Sequence, residues 1–317
     1  MRHLFKTFAL LVTVSLFTIS CKDDEPQVET PKSIYELTVA SPDLSNLRLA
    51  LEKAGLSGTL NSSGNFTVFA PSNAAFAQFL TANGFASLND VPNAVLKEIL
   101  LNHVLGTIVL AADVKTGYVS TLAKGGASTT RNISMYIDTT SGVKINGVSK
   151  VTKTDIAASN GVIHLVDAVI GLPTIVTHAT ANPNFSSLVA GLTRADMPNF
   201  VSILSGTASS PFTVFAPTNS AFTSLLTEVN LPNLGAIPQS TLENALKYHV
   251  VAGANVASTD LVNDMVVTTF QGGTFKITLT TGGAKITDAN NRVSNIVATD
   301  VQCSNGIIHV LDKVLLP

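Results

Sequence analysis

The chain has no tryptophan, only two cysteines, and charged residues amount to 13% of its 317 positions. Globular domains average about 25% charged residues; here Ser, Thr, Asn and Gly take up the difference. No run of Lys or Arg occurs beyond the first six residues, so the electrostatic footprint that nucleic acid requires is missing. Two cysteines, Cys21 and Cys303, cannot make a disulfide framework. Gly-x-Ser-x-Gly, a phosphate-cradling glycine loop, His-Glu-x-x-His and Cys-x-x-Cys are all absent. No cofactor, metal or enzymatic activity is therefore expected.

The apolar stretch Phe8–Ile19 covers twelve residues, short of the about 20 that a spanning helix needs. With Arg2, His3 and Lys6 ahead of it, residues 1–20 read as an export signal. Thr18-Ile19-Ser20-Cys21 resembles a relaxed lipoprotein box. Cys21 is then the lipidated first residue, and several acyl chains hold the protein at a membrane. The expected location is the outer membrane, with the protein exposed at the cell surface. Lys22-Asp23-Asp24-Glu25-Pro26 resembles the acidic surface-sorting signal of Bacteroidetes-type lipoproteins and reads equally as a solvated tether over residues 21–31. Removal of residues 1–20 leaves 17 basic against 21 acidic residues, a net charge of −4.

What the chain does have, it has twice. Phe66-Thr-Val-Phe-Ala-Pro-Ser-Asn-Ala-Ala-Phe76 returns at Phe212–Phe222, an offset of 146. Asn160-Gly-Val-Ile-His-Leu-Val-Asp167 returns at Asn305–Asp312, an offset of 145. A period this long means two complete domains rather than a solenoid, placed at 32–173 and 174–317. Each opens with apolar residues at helical spacing: Ile34, Leu37, Leu44, Leu47 and Leu51, then Ile175, Phe185, Leu188 and Leu192. Pro42 and Pro183 fall where a proline can open a second helix. Ser72 and Thr218 are placed to cap the helix after the first motif. Later come short apolar runs broken by Gly and Asn turns. Helices first and strands last is an α+β order.

These motifs resemble the fasciclin (FAS1) domain family: Phe66–Phe76 and Phe212–Phe222 are similar to its first box, Asn160–Ile170 and Asn305–Leu315 to its second, and Tyr248-His249 to its Tyr-His pair. The resemblance covers residues 32–317. It implies, for each domain, a β-wedge or sandwich of about seven strands packed with several helices. It also implies non-enzymatic adhesion through an unidentified protein or glycan ligand. In the animal members adhesion is ascribed to an Asp-Ile pair before the second box and to the Tyr-His region. Carried over, the interaction residues are Asp155, Ile156, Asp300, Val301, Tyr248 and His249. Copy one reads Asn102-His103 in place of Tyr-His. A glycan-binding accessory in polysaccharide capture is the alternative, although four tyrosines and no tryptophan make few aromatic platforms.

His103, His164, His249 and His309 are duplicated. His164 and Asp167 lie three apart on an expected strand and face opposite ways, so they do not form a joint site. Histidines flanked by Val, Ile and Leu are expected as internal struts, with Asn160 and Asn305 as further structural members of the motif. His103 is expected to hold the Asp155 segment and His249 that of Asp300. His178 aligns with Leu37 and is expected at the surface. Cys303 replaces Ala158 and is expected to be buried. Asp138-Thr139-Thr140 resembles a short O-glycosylation sequon. The connection Gly171–Thr174 is too short for free hinge motion.

Overall fold

A computed structural model describes residues 30–206 and 208–317. The expected leader, Cys21 and nearly all of the tether lie outside the described residues. Lys32–Pro317 form one compact unit. Its first domain runs α1 (Ile34–Ala40), α2 (Ser45–Lys53), α3 (Ser57–Asn61), β1 (Phe66–Pro71), α4 (Asn73–Ala82), α5 (Asn93–Leu101) and β2 (Val104–Leu105). Strands β3 (Gly117–Gly125), β4 (Ser128–Asp138), β5 (Lys144–Ile145), β6 (Ser149–Ala158) and β7 (Gly161–Val166) follow. The second domain repeats the order with α6 (Ile175–Ala181), α7 (Ser186–Leu192), α8 (Phe200–Ser205), β8 (Phe212–Pro217), α9 (Asn219–Glu228), α10 (Gln239–Tyr248) and β9 (Val250–Ala252). It closes with β10 (Val266–Thr268), β11 (Thr274–Thr280), β12 (Gly283–Thr287), β13 (Val293–Cys303) and β14 (Gly306–Leu311). Among the described residues no helix is long and apolar enough to cross a membrane.

Local chemistry sets the helix starts. Ser33 caps α1 and Glu36 reaches back to the Ser33 N–H at 2.7 Å, a reciprocal capping box. Thr174 and Thr177 do the same for α6. Ser72 and Thr218 accept from Ala75 N and Ala221 N to start α4 and α9, as the sequence predicts. Pro42 and Pro183 open short 3-10 turns that run straight into α2 and α7.

Each domain has one seven-stranded sheet, ordered β2-β1-β7-β6-β5-β4-β3 and β10-β11-β12-β13-β14-β8-β9. The first and last long strands pair in parallel in its interior, one strand in from the edge, Phe66 opposite Gly161 and Phe212 opposite Gly306. This explains the near-continuous apolar run of the first motif, broken only by Thr67 and Thr213, since a strand covered on both faces has no solvent-facing side. Val68 and Ala70 face the helices with Leu47, Phe76 and Leu96, while Phe69 faces Met135, Ile137 and Ile145 under the curled half of the sheet. In domain 2, Val214 and Ala216 join the helical core; Phe215 joins Phe275 and Ile277. The Asn-Gly turn fits the same pairing. A Cβ on Gly161 would stand 2.0 Å from Phe66 O, and one on Gly306 2.3 Å from Phe212 O, so only glycine allows the strands to meet.

Candidate functional site

The second-box asparagines tie each domain's start to its end. Asn160 Oδ1 accepts from Ile34 N at 2.9 Å, and its Nδ2 donates to Leu60 O and Ser62 O at 2.8 Å each. Asn305 accepts from Ile175 N at 3.0 Å and donates to Leu204 O at 2.7 Å.

The histidines form two kinds of clasp. His103 Nδ1 donates to Ile99 O at 2.7 Å and Nε2 accepts from Ile170 N at 2.8 Å. His249 repeats this with Ala245 O at 2.7 Å and Leu315 N at 2.9 Å. With one nitrogen donating and the other accepting, both rings are neutral. Burial pushes each down to about 4, against the pull of the carbonyl bond. These rings hold the segment leaving the last strand, not the aspartate loops. The expected pairing of His103 with Asp155 and His249 with Asp300 is thus overturned. The loops are held by the other pair. Asp155 N donates to His164 Nδ1 at 3.2 Å, and Nε2 of that ring bonds Val109 O at 2.9 Å. Asp300 N reaches His309 Nδ1 at 3.5 Å, with Val256 O at 2.8 Å from Nε2. The reason is topological: β6 and β7 are adjacent, as are β13 and β14, so each loop lies across the hairpin from the histidine nine residues on. Asp167 bonds Lys150 N instead, and Asp312 bonds Asn295 N.

Asp155 and Asp300 sit at bulges where the ladder register shifts, with φ of 58° and 61°. A short acidic side chain tolerates that left-handed geometry. Asp155 Oδ1 accepts from Ala111 N at 2.9 Å; Asp300 Oδ1 accepts from Ser258 N at 2.8 Å and its other oxygen from the Ser258 hydroxyl.

The remaining carried-over residues are inside. Tyr248 is fully buried, donating to Thr274 O at 2.5 Å and accepting from Ala289 N at 3.2 Å. His249 and Val301 are buried as well, and Ile156 packs half-buried on the helical core. None of Tyr248, His249 and Val301 belongs to a surface. Asn102, the counterpart of Tyr248, is buried and donates to Ile170 O and Gly171 O.

A seam between the domains decides which loop is open. The β3–β4 hairpin lies over α6 and β13. Tyr118 Oη accepts from Asn182 Nδ2 at 3.1 Å, and its ring meets His178 edge-on at 5.3 Å. Gln302 N donates to Ser134 Oγ at 3.0 Å, and Ala127 N to Ser304 O at 3.0 Å. A Cβ on Gly125 would stand 2.6 Å from Ser304 Cα. His178, expected at the surface, is 0% exposed and neither ring nitrogen has a hydrogen-bond partner. Burial holds it down to about 4, a pull the nearby Ser134 backbone only partly opposes. Cys303 is buried in the same region, which pushes its thiol upward. Arg131 bonds Thr259 at 2.7 Å and pairs with Asp260 at 3.8 Å, beside the Ser258 that holds Asp300.

Domain 2's aspartate loop is therefore flanked by domain 1. That of domain 1 is open. Asp155 is exposed, and Ile108 and Leu110 stand 46% and 45% exposed on the loop it anchors. Buried Thr67 fixes this loop, donating to Thr107 O and accepting from Val109 N. The counterparts of Ile108 and Leu110 are Asn255, bonded to Gln302, and buried Ala257. Ile108-Val109-Leu110 reads in sequence as a buried strand, so the apolar pair gave no signal of its exposure. Among the described residues no cluster of three or more His, Cys, Asp or Glu could hold a metal.

The fasciclin domain model matches residues 42–173 and 183–317. Protein sll1483 of Synechocystis is 37% identical over 144 residues, spanning 45% of this chain and 73% of that protein. Human periostin is 28% identical over 262 residues, and the transforming growth factor-beta-induced protein ig-h3 of Sus scrofa 30% over 261. Each alignment takes in 80% of this chain but only 28% and 35% of those longer proteins. A FAS1 domain pair from the insect cell adhesion molecule Fasciclin I superposes with a TM-score of 0.49 at 21% identity, covering 89% of this chain and 96% of that one.

Proposed function

Because the chain belongs to the fasciclin domain family, we propose that it is a non-enzymatic adhesion or interaction protein, displayed at the cell surface by acyl chains on Cys21. The observation that carries the reading is the open loop of domain 1, where Ile108 and Leu110 flank the anchored Asp155. Rigid, exposed loop residues of mixed apolar and charged character are what a protein partner recognises. The duplicated imidazoles, which an enzyme would need as acid or base, spend both nitrogens on the backbone. The tyrosines do not present sugar platforms: Tyr136 and Tyr248 are buried, Tyr118 is in the seam and Tyr35 bonds Glu52. With one loop open per molecule, avidity comes from many anchored copies rather than from the two domains of one.

The test is adhesion of the full chain to cell envelopes and matrix proteins. Replacing Ile108 and Leu110 together by Ser should weaken attachment at least about tenfold with no fall in melting temperature, while Asp300→Asn leaves attachment unchanged. Equal attachment by the Ile108/Leu110 variant would remove the loop from the reading. Cys21→Ser should move the protein from the membrane to the soluble fraction.

A further inference from the structure

We propose that domain 2 holds a binding site for a small hydrocarbon group, about the size of one six-membered ring, between α9, α10 and residues 314–316. A cavity of about 130 Å³ opens there, floored by Leu242, Ala245 and His249 and walled by Leu225, Leu231 and Val314. Engineered apolar cavities of about 150 Å³ stay dry and admit benzene or xenon.

Domain 1 shows how the space arises. The residues in register with Leu225, Leu231 and Ala245 are Phe79, Phe85 and Ile99. Phe79 and Phe85 pack against the helical core of domain 1, and Ile99 is buried in it. Two rings reduced to isobutyl groups and one butyl group reduced to a methyl leave domain 2 with nine fewer carbons at these positions. At the rim, Leu316 stands where domain 1 has Gly171. An unfilled hole is destabilising, and the chain carries the filled solution in its other half.

The lining fixes the ligand's chemistry. His249 is the polar group on the floor, and both its nitrogens are already bonded to Ala245 O and Leu315 N. A ligand inserting there meets no unpaired donor or acceptor on the floor, so a hydroxyl or charge carried inward would be left unsatisfied. The mouth lies at exposed Val229, Pro238 and Thr241, which lets a larger molecule insert only its hydrocarbon end. This site does not depend on the adhesion reading.

The test is titration of the full chain with benzene and with n-hexane, followed by amide chemical shifts and melting temperature. Saturable binding with shifts centred on Leu242 and Ala245 is expected, together with a raised melting temperature. Ala245→Ile, which installs the domain 1 residue, should weaken the tighter probe at least about tenfold; Leu231→Phe does the same by a second route. Conversely, Ile99→Ala should open a second site in domain 1. Xenon under pressure locates the site without any variant. No saturation by either probe, affinity unchanged in the filled variants, or xenon bound only elsewhere overturns the proposal.

Discussion

The two domains share a sheet order, an asparagine tie and both histidine clasps, yet they part company where they meet. Domain 1 presents Tyr118, Arg131 and Ser134 on a long β3–β4 hairpin; in domain 2 the matching β10 and β11 are shorter, and Met265 replaces Tyr118. Domain 2 receives that hairpin with His178, Asn182, Gln302 and Cys303, where domain 1 has Leu37, Ser41, Ala157 and Ala158. The hydrogen-bonded ties inside the fold are thus repeated and the seam is not. A surface that fits only one neighbour in one order specifies a pair, and a third copy added head to tail would lack both halves of the contact.

Acid should break the comparison most. Above about 6.5, the ordinary histidine value, His178, His249 and His103 are neutral whether folded or not. Between about 6.5 and their folded values of about 4, the unfolded chain takes up protons that the native one refuses. Stability is therefore present above that window and lost as pH falls through it, by up to about 3 kcal/mol for each ring. Domain 2 has His178 and His249 at about 4 and His309 also lowered by burial; domain 1 has His103 at about 4. Hydrogen exchange followed from pH 7 to pH 4 should show domain 2 amides opening first. Simultaneous opening, or domain 1 leading, would contradict this.

Next comes the seam. Tyr118→Ala empties a ring-sized space against the domain 2 core and leaves Asn182 without its phenol partner, at a cost of about 3 kcal/mol. Two unfolding transitions in urea, in place of one, are the expected signature. His178→Leu, which restores the residue of domain 1, removes a buried group with no hydrogen-bond partner and should stabilise by about 1 kcal/mol. A destabilised His178→Leu protein would show that the Ser134 backbone beside the ring holds it. The smallest effect belongs to Arg131→Ala. Its contacts with Thr259 and Asp260 lie at the half-exposed rim, so the change in urea midpoint should correspond to less than about 1 kcal/mol.

What the sequence made legible follows from repetition. The caps at Ser72 and Thr218, the α+β order and the burial of Cys303 depend on local pattern, and each pattern that occurs twice checks itself. The clasps were half legible. That the histidines are struts follows from their apolar neighbours, but which backbone each one grips depends on strand adjacency, and periodicity does not carry strand order. His178 was misplaced because it has no duplicate: its burial comes from the other domain's Tyr118. Tyr248, carried over as an interaction residue by the family's Tyr-His pair, is instead buried in the second core, under Phe275 and Phe215, which forms only when the sheet curls. Ile108 and Leu110 are the reverse case, apolar residues left outside on a loop that the Thr67 hydroxyl ties to β1.

The parallel pairing of β1 with β7 and of β8 with β14 governs how such a molecule is made. Each sheet has side by side in its interior a strand from near the domain's start and one from its end, about a hundred residues apart. Such distant partners close slowly, and neither domain can complete its sheet until β7 or β14 has emerged from the ribosome. A truncation just before Gly306 would therefore remove the strand that joins β8 and β9 to the rest of the sheet, rather than fray its margin.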